Sequence, residues 1–180
     1  MKLAALFSGG KDSTYSIYKA RQMGHDVKCL ITLFPKSPNS HLLHFPNIKL
    51  TKLQSETMNI PHLVTELETD ETNQEMNALG ILLKKAKQDF QIDGLVHGGI
   101  SSEFQKKRFE NICKENDLNI LTPLWNTNPK EYMNDLIDSG FKFILTSVSS
   151  DGLDETWLGK IITISDLSKL SELSDKYGFN

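Results

Sequence analysis

Leu3-Ala4-Ala5-Leu6-Phe7-Ser8-Gly9-Gly10-Lys11-Asp12-Ser13 is the stretch that decides how this chain of 180 residues is read. The apolar run Leu3–Phe7 suits a short buried strand, and it stops abruptly on a hydroxyl and two glycines. A helix pattern follows from about Lys11 to Met23, with Gly24 placed to end it in a left-handed turn. Two adjacent glycines between a strand and a helix can take positive φ and let a ligand approach the backbone closely. The N–H groups at the start of a helix favour an anion. Ser8 and Ser13 add hydroxyls, and Lys11 adds a point charge suited to phosphate. Asp12 is out of place in a pure anion site, so it either caps the helix or helps to hold Mg²⁺ on bound phosphates. Together the six residues read as a phosphate-binding loop. Neither the GxxxxGK[ST] nor the GxGxxG spacing is present.

Outward from this loop, strand and helix signals alternate. Val27–Phe34 reads as a second strand stopped by Pro35, and residues 35–46 as a loop. A helix is expected over 47–58 and a strand over 62–66. Thr72-x-x-Glu75 has the form of a capping box opening a helix that runs to about Phe90. Gly94–Gly98 is the next strand, and Ser102-x-x-Gln105 is a second capping box, opening a helix to about Asn116. Ile120–Leu124 reads as a short strand. Asn128-Pro129-Lys130-Glu131 opens a helix that Gly140 stops. Phe141–Val148 reads as a final strong strand, and Ser165–Tyr177 as an amphipathic helix ending at Gly178. Such alternation implies an α/β domain with an open, mainly parallel sheet. Ligands of such sheets sit at the carboxyl ends of strands. Three loops fall there: 8–13, 35–46 and 97–102.

Bulk properties narrow the function classes. A chain of this length fits one domain, with residues 150–180 as the start of a smaller substrate-binding part. The net charge of −3 gives no broad basic surface, so direct nucleic-acid binding is not expected. Cys29 and Cys113 form no CxxC pair, which argues against a thiolate metal site and for a reducing compartment. No apolar stretch approaches the ~18 residues of a membrane span. The chain reads as soluble and cytoplasmic, with no membrane partner.

Two further stretches carry candidate chemistry. In Gly98-Gly99-Ile100-Ser101-Ser102-Glu103-Phe104-Gln105-Lys106-Lys107-Arg108, Gln105 and Arg108 share one face near a helix start, from which Arg108 could reach a phosphate or a carboxylate. The blander alternative makes Gln105 the capping partner of Ser102 and Arg108 a solvated charge. In 39–47, His41 and His44 lie in a candidate site loop by position, but no further ligands are spaced to build a metal centre. Phe109, Ile112 and Cys113 recur at core spacing. Trp125 fits a core or rim position better than a stacking platform.

The loop at 8–13 matches the SGGxDS pattern of the PP-loop of N-type ATP pyrophosphatases. With FSGGKDS at 7–13, NSHLLHFPN at 39–47, GISSEFQKKRFENIC at 99–113, TPLW at 122–125 and DGLDETWLGK at 151–160, the chain resembles the diphthine–ammonia ligase (diphthamide synthase) family. The resemblance implies a Rossmann-like, adenine nucleotide α-hydrolase-like fold with helices on both faces of the sheet. It implies a reaction in which ATP activates the carboxylate of diphthine on elongation factor 2 as an acyl adenylate. Ammonia then displaces AMP, after release of pyrophosphate. ATP and Mg²⁺ are the implied cofactors, and elongation factor 2 and ammonia the partners, with room left for a homo-oligomer. The implied nucleotide site is Ser8, Gly9, Gly10, Lys11, Asp12, Ser13, Gly98, Gly99 and Ile100. Lys11, Asp12 and Arg108 would be catalytic, with Asp12 on Mg²⁺. His44, Ser101, Ser102, Glu103, Gln105 and Arg108 would face the substrate. The family usually has Arg where this chain has Lys106, and it continues beyond Tyr-Gly-Phe-Asn into an acidic, glycine-rich segment. Alternatives are a PP-loop ligase acting on tRNA and a non-catalytic adenine-nucleotide-binding protein.

Overall fold

The computed structural model describes residues 1–179. They group into two compact units, 1–125 and the described residues from 126 onward. The first is built on β1 (Lys2–Leu6), α1 (Lys11–Gln22), β2 (Asp26–Phe34), α2 (Thr51–Met58), β3 (His62–Glu66), α3 (Thr72–Phe90), β4 (Gly94–Val96), α4 (Glu103–Glu115) and β5 (Asn119–Leu121). The five strands form one sheet in the order β3-β2-β1-β4-β5, and every pairing is parallel.

Alternation along β1 explains the layers. Leu3, Ala5 and Phe7 turn to one face and meet Ile17 and Ala20 of α1, with Leu30 and Val96 from the neighbouring strands. Ala4 turns to the other face, where Leu79, Leu83 and Ala86 of α3 and Phe109, Ile112 and Cys113 of α4 cover it. Both faces are thus buried, as an all-parallel sheet requires. Cys29 and Cys113 are packed in this core, and burial pushes both thiols up to about 12, so neither is a thiolate at neutral pH.

The chain leaves β1 toward β2 and β3 on one side, and β4 and β5 lie on the other. The order therefore reverses between β1 and β4. The loops leaving these two adjacent, parallel strands flank the crevice where such sheets bind ligands.

Two expected capping boxes do not form as such. Thr72 does not open a capping box: Glu71 is the N-cap of α3, with no side-chain cap, and Thr72 is already helical. Glu75 turns inward to a fully buried position on the face that carries Leu79, Leu82 and Leu83, so it cannot reach back to the cap. Ser102 forms half a box. Its hydroxyl accepts from Gln105 N at 3.4 Å, but the Gln105 side chain goes elsewhere.

The second unit contains α5 (Pro129–Asp138) and α6 (Ile164–Tyr177). Asn128 caps α5, its side chain accepting from the N–H groups of Lys130 and Glu131. Thr163 and Asp166 form a full capping box at the start of α6. Phe141–Val148 is not a strand of the sheet. It makes only isolated bridges, Ile144 with Ile161 and Leu145 with Leu158. An apolar run becomes a strand only where a neighbour supplies a ladder, and here the partners are two single residues of the same unit. Among the described residues no helix is long and apolar enough to cross a membrane.

Candidate functional site

The glycine loop is shaped by its own serines. Ser13 Oγ accepts from Ser8 N at 3.3 Å and from Ser8 Oγ at 3.2 Å, and it donates to Gly10 O at 3.1 Å. Ser13 is buried, so its hydroxyl closes the loop on itself. At the end of β1, Thr32 Oγ1 donates to Phe7 O at 2.6 Å and fixes the point where the loop begins. Gly9 takes φ +76°, the left-handed region that favours glycine. Gly10 is the N-cap of α1, and no side chain caps this end. Asp12 is therefore not the helix cap that one reading of the sequence allowed. It lies in the first turn, with its Oδ1 2.6 Å from Lys11 Nζ.

Gln54 of α2 buttresses the loop from outside, its Nε2 donating to Gly9 O at 3.0 Å. A Cβ on Gly9 would lie 2.4 Å from Gln54 Oε1. From the other side comes Gly98, just beyond β4. A Cβ there would sit 2.5 Å from the carbonyl carbon and oxygen of Asp12 and 2.8 Å from Ser13 N. Gly98 is thus needed for space: it lets the loop after β4 lie directly on the start of α1.

A cleft of about 190 Å³ opens at this junction. The first loop contributes Ser8, Asp12 and Ser13 to it, the second Leu42, Leu43 and His44, and the third His97, Gly98 and Gly99; Gln105 and Phe109 of α4 complete it. All three loops chosen from the sequence therefore meet. Gln105 ties the second loop to α4, its Nε2 donating to Leu42 O at 3.0 Å. A larger, open depression of about 490 Å³ lies toward the amino end of β3, lined by residues such as Lys52 and Asn59. It has no glycine loop and lies away from the strand carboxyl ends, so the smaller cleft is the better candidate.

The remaining predicted residues are placed differently. Gly9, Gly10 and Lys11 flank the cleft within the loop but do not line it, and Ile100 does not line it either. Ser101, Ser102 and Glu103 are exposed outside it. Arg108 folds back on its own helix, donating to Phe104 O at 3.2 Å with its guanidinium 3.5 Å from the Phe104 ring centre. Lys106 is not a plain solvated charge: its ammonium lies 4.2 Å from the ring centre of Trp125.

Sequence reasoning missed two residues here, His97 and Gln54, and read a buried residue outside the cleft lining, Glu75, as a helix cap. His97 is 2% exposed, and burial together with the charge of Lys106 pulls its imidazole down to about 4. Gln54 gave no sequence signal, because its role depends on α2 packing against the loop. Glu75 has both carboxylate oxygens buried without a well-formed hydrogen bond. Burial pushes its carboxyl up, the nearby Ser40 hydroxyl opposes this, and Asp70 adds to it. Among the described residues no group of three or more His, Cys, Asp or Glu could hold a metal ion.

Comparison with known proteins identifies the family. Residues 1–120 match the diphthamide synthase N-terminal domain, and residues 128–180 match the diphthamide synthase C-terminal domain. The chain belongs to the diphthamide synthase family. It is 32% identical over 200 residues to diphthine–ammonia ligase of Mus musculus, an alignment covering 99% of this chain and 73% of the relative. The Homo sapiens diphthine–ammonia ligase is 31% identical, with the same coverage of both chains. A predicted subunit of tRNA methyltransferase from Methanocaldococcus jannaschii is a solved structure with 18% identity and a TM-score of 0.49, covering 100% of this chain and 92% of that one. As a member of the diphthamide synthase family, the chain is an ATP-dependent ligase of diphthamide biosynthesis.

Proposed function

We propose that this chain converts diphthine on elongation factor 2 to diphthamide, using ammonia and splitting ATP to AMP and pyrophosphate. The observation that carries this reading is the meeting of the glycine loop 8–13 with the loop after β4, at the point where the sheet order reverses. The phosphates of ATP would lie on the glycine loop, against the start of α1. Lys11 would neutralise charge as pyrophosphate leaves. Asp12 lines the cleft, and one carboxylate together with substrate phosphates is how Mg²⁺ is commonly held. Bound there, Mg²⁺ would screen the phosphate charge. The diphthine carboxylate attacks the α-phosphorus, the α–β bridging bond breaks, and an acyl adenylate forms. Ammonia then attacks the acyl carbon, AMP leaves with the bonding pair, and the amide remains after loss of a proton.

What the protein contributes is position and fixed dipoles rather than a nucleophile of its own. His44 and Gln105 line the cleft and suit the substrate side. Ser101, Ser102 and Glu103 would meet the protein substrate at the rim, and Arg108 would have to leave Phe104 to join them. The enzyme would meet its protein substrate in the cytoplasm.

The test is to incubate the protein with ATP, Mg²⁺ and ammonium, with and without diphthine-bearing elongation factor 2, whose diphthine carboxylate carries ¹⁸O. AMP should form only with all components, and it should carry ¹⁸O from the carboxylate. AMP formed independently of elongation factor 2, or ADP as the product, refutes the reading.

A further inference from the structure

His97 is the first residue after β4, and it is among the residues that line the cleft. Gly99 N donates to its Nδ1 at 3.0 Å. That bond settles the tautomer: Nδ1 must keep its lone pair, so the proton of the neutral ring is on Nε2. The Phe109 ring, with centroids 5.0 Å apart and an interplanar angle of 65°, holds the imidazole edge-on. Nε2 is buried and meets no protein partner among the described residues. A buried N–H without an acceptor is destabilising, and in native proteins it calls for a ligand or a water. His97 cannot serve as a base without giving up one of these arrangements, because Nδ1 is occupied and Nε2 already carries the proton. Its free capacity is a single donor.

The acceptor is indicated by what surrounds it. The next residue, Gly98, lies against the backbone of Asp12 and Ser13, so His97 is held beside the first turn of α1. Ser8 and Ser13 line the same cleft. We propose that His97 is a nucleotide-binding residue whose Nε2–H donates to a phosphate oxygen of ATP. This rests on the reading of the glycine loop as the ATP site. The ring is neutral across the ordinary pH range, so it adds a directed dipole where charge builds up, without adding another cation.

Two substitutions separate the two nitrogens. His97→Asn keeps an acceptor near the Nδ1 position for Gly99 N and removes the distal donor. His97→Gln keeps an N–H near the Nε2 position and removes the acceptor for Gly99. Titration with a non-hydrolysable ATP analogue should show H97N weakened roughly 10-fold or more. H97Q should stay within about threefold of the parent, and adenosine should bind all three proteins alike. The parent protein, with ¹⁵N-labelled histidine, gives a readout that needs no substitution: its His97 Nε2–H resonance should move with the ATP analogue and not with adenosine. The reverse order, with H97N unaffected and H97Q impaired, would make His97 only a brace for Gly99 and overturn the proposal. So would an unmoved resonance in a protein that binds the analogue. If the parent protein binds no ATP analogue at all, the ATP reading itself falls, and this proposal with it.

Discussion

Gly98→Ala puts one methyl group into the contact that holds the site together. The added Cβ would lie 2.5 Å from the carbonyl carbon and oxygen of Asp12 and 2.8 Å from Ser13 N, where ordinary contact begins at 3.4 Å. These are backbone atoms in the first turn of α1, so no side-chain rotation relieves the clash. The loop after β4 and the start of α1 must part by about 0.9 Å. Overpacking of this kind costs about 1–3 kcal/mol of stability. A displacement near 1 Å between catalytic loops lowers turnover by about 100-fold. Urea denaturation should therefore show the stability loss, and a coupled pyrophosphate assay the rate loss, with the ATP analogue bound about tenfold more weakly. Gly24→Ala is the control. Gly24 has φ +80° with nothing within 4 Å of an added Cβ, so alanine there costs about 1–2 kcal/mol of backbone strain and leaves turnover intact. If G98A loses stability but keeps full ATP affinity and turnover, the spacing of the two loops is not what builds the site. If it loses neither, the contact itself is refuted.

Gly9→Val forces a β-branched residue into φ +76° and displaces Gln54 from its bond to Gly9 O. The fold should survive by circular dichroism while affinity for the ATP analogue falls more than tenfold; unchanged affinity would sink the phosphate role of the loop. Glu75→Gln should stabilise the protein by about 1–3 kcal/mol near pH 8, because it removes a buried charge whose oxygens lack a well-formed hydrogen bond. The raised Glu75 pKa means that the folded state holds its proton more tightly than the unfolded chain, whose value is near the model 4.5. The parent protein should therefore lose stability, relative to E75Q, as pH rises from about that value through the folded pKa. Melting temperatures of both proteins between pH 4.5 and 8 check this, and a gap that does not widen with pH refutes it.

Much of the fold was legible in the chain, because its signals are local. The strand before Ser8, the start of α1 at Lys11 and the stops at Gly24 and Gly140 depend on nearest neighbours. The alternation of strands and helices was enough for a parallel sheet with ligands at the strand ends. What was misread depended on distant partners. Phe141–Val148 has strand composition, but only a neighbouring ladder makes a strand, and it found two single bridges. Thr72 and Glu75 have capping-box spacing, but the core claimed the Glu75 side chain.

The division is the same at the site. By itself the sequence determined the glycine loop, the two other loops that line the cleft and the family resemblance, since these are fixed by residue type and spacing along the chain. Only the tertiary structure decided the order β3-β2-β1-β4-β5, which brings residues 8–13 and 97–99 together across about 90 positions of sequence. It also decided that Gly98 serves close approach and that Arg108 lies on Phe104. The buried, partnerless Nε2 of His97 is likewise a tertiary feature. Burial and hydrogen-bond satisfaction are properties of packed surfaces, and no spacing along a chain encodes which surfaces will meet.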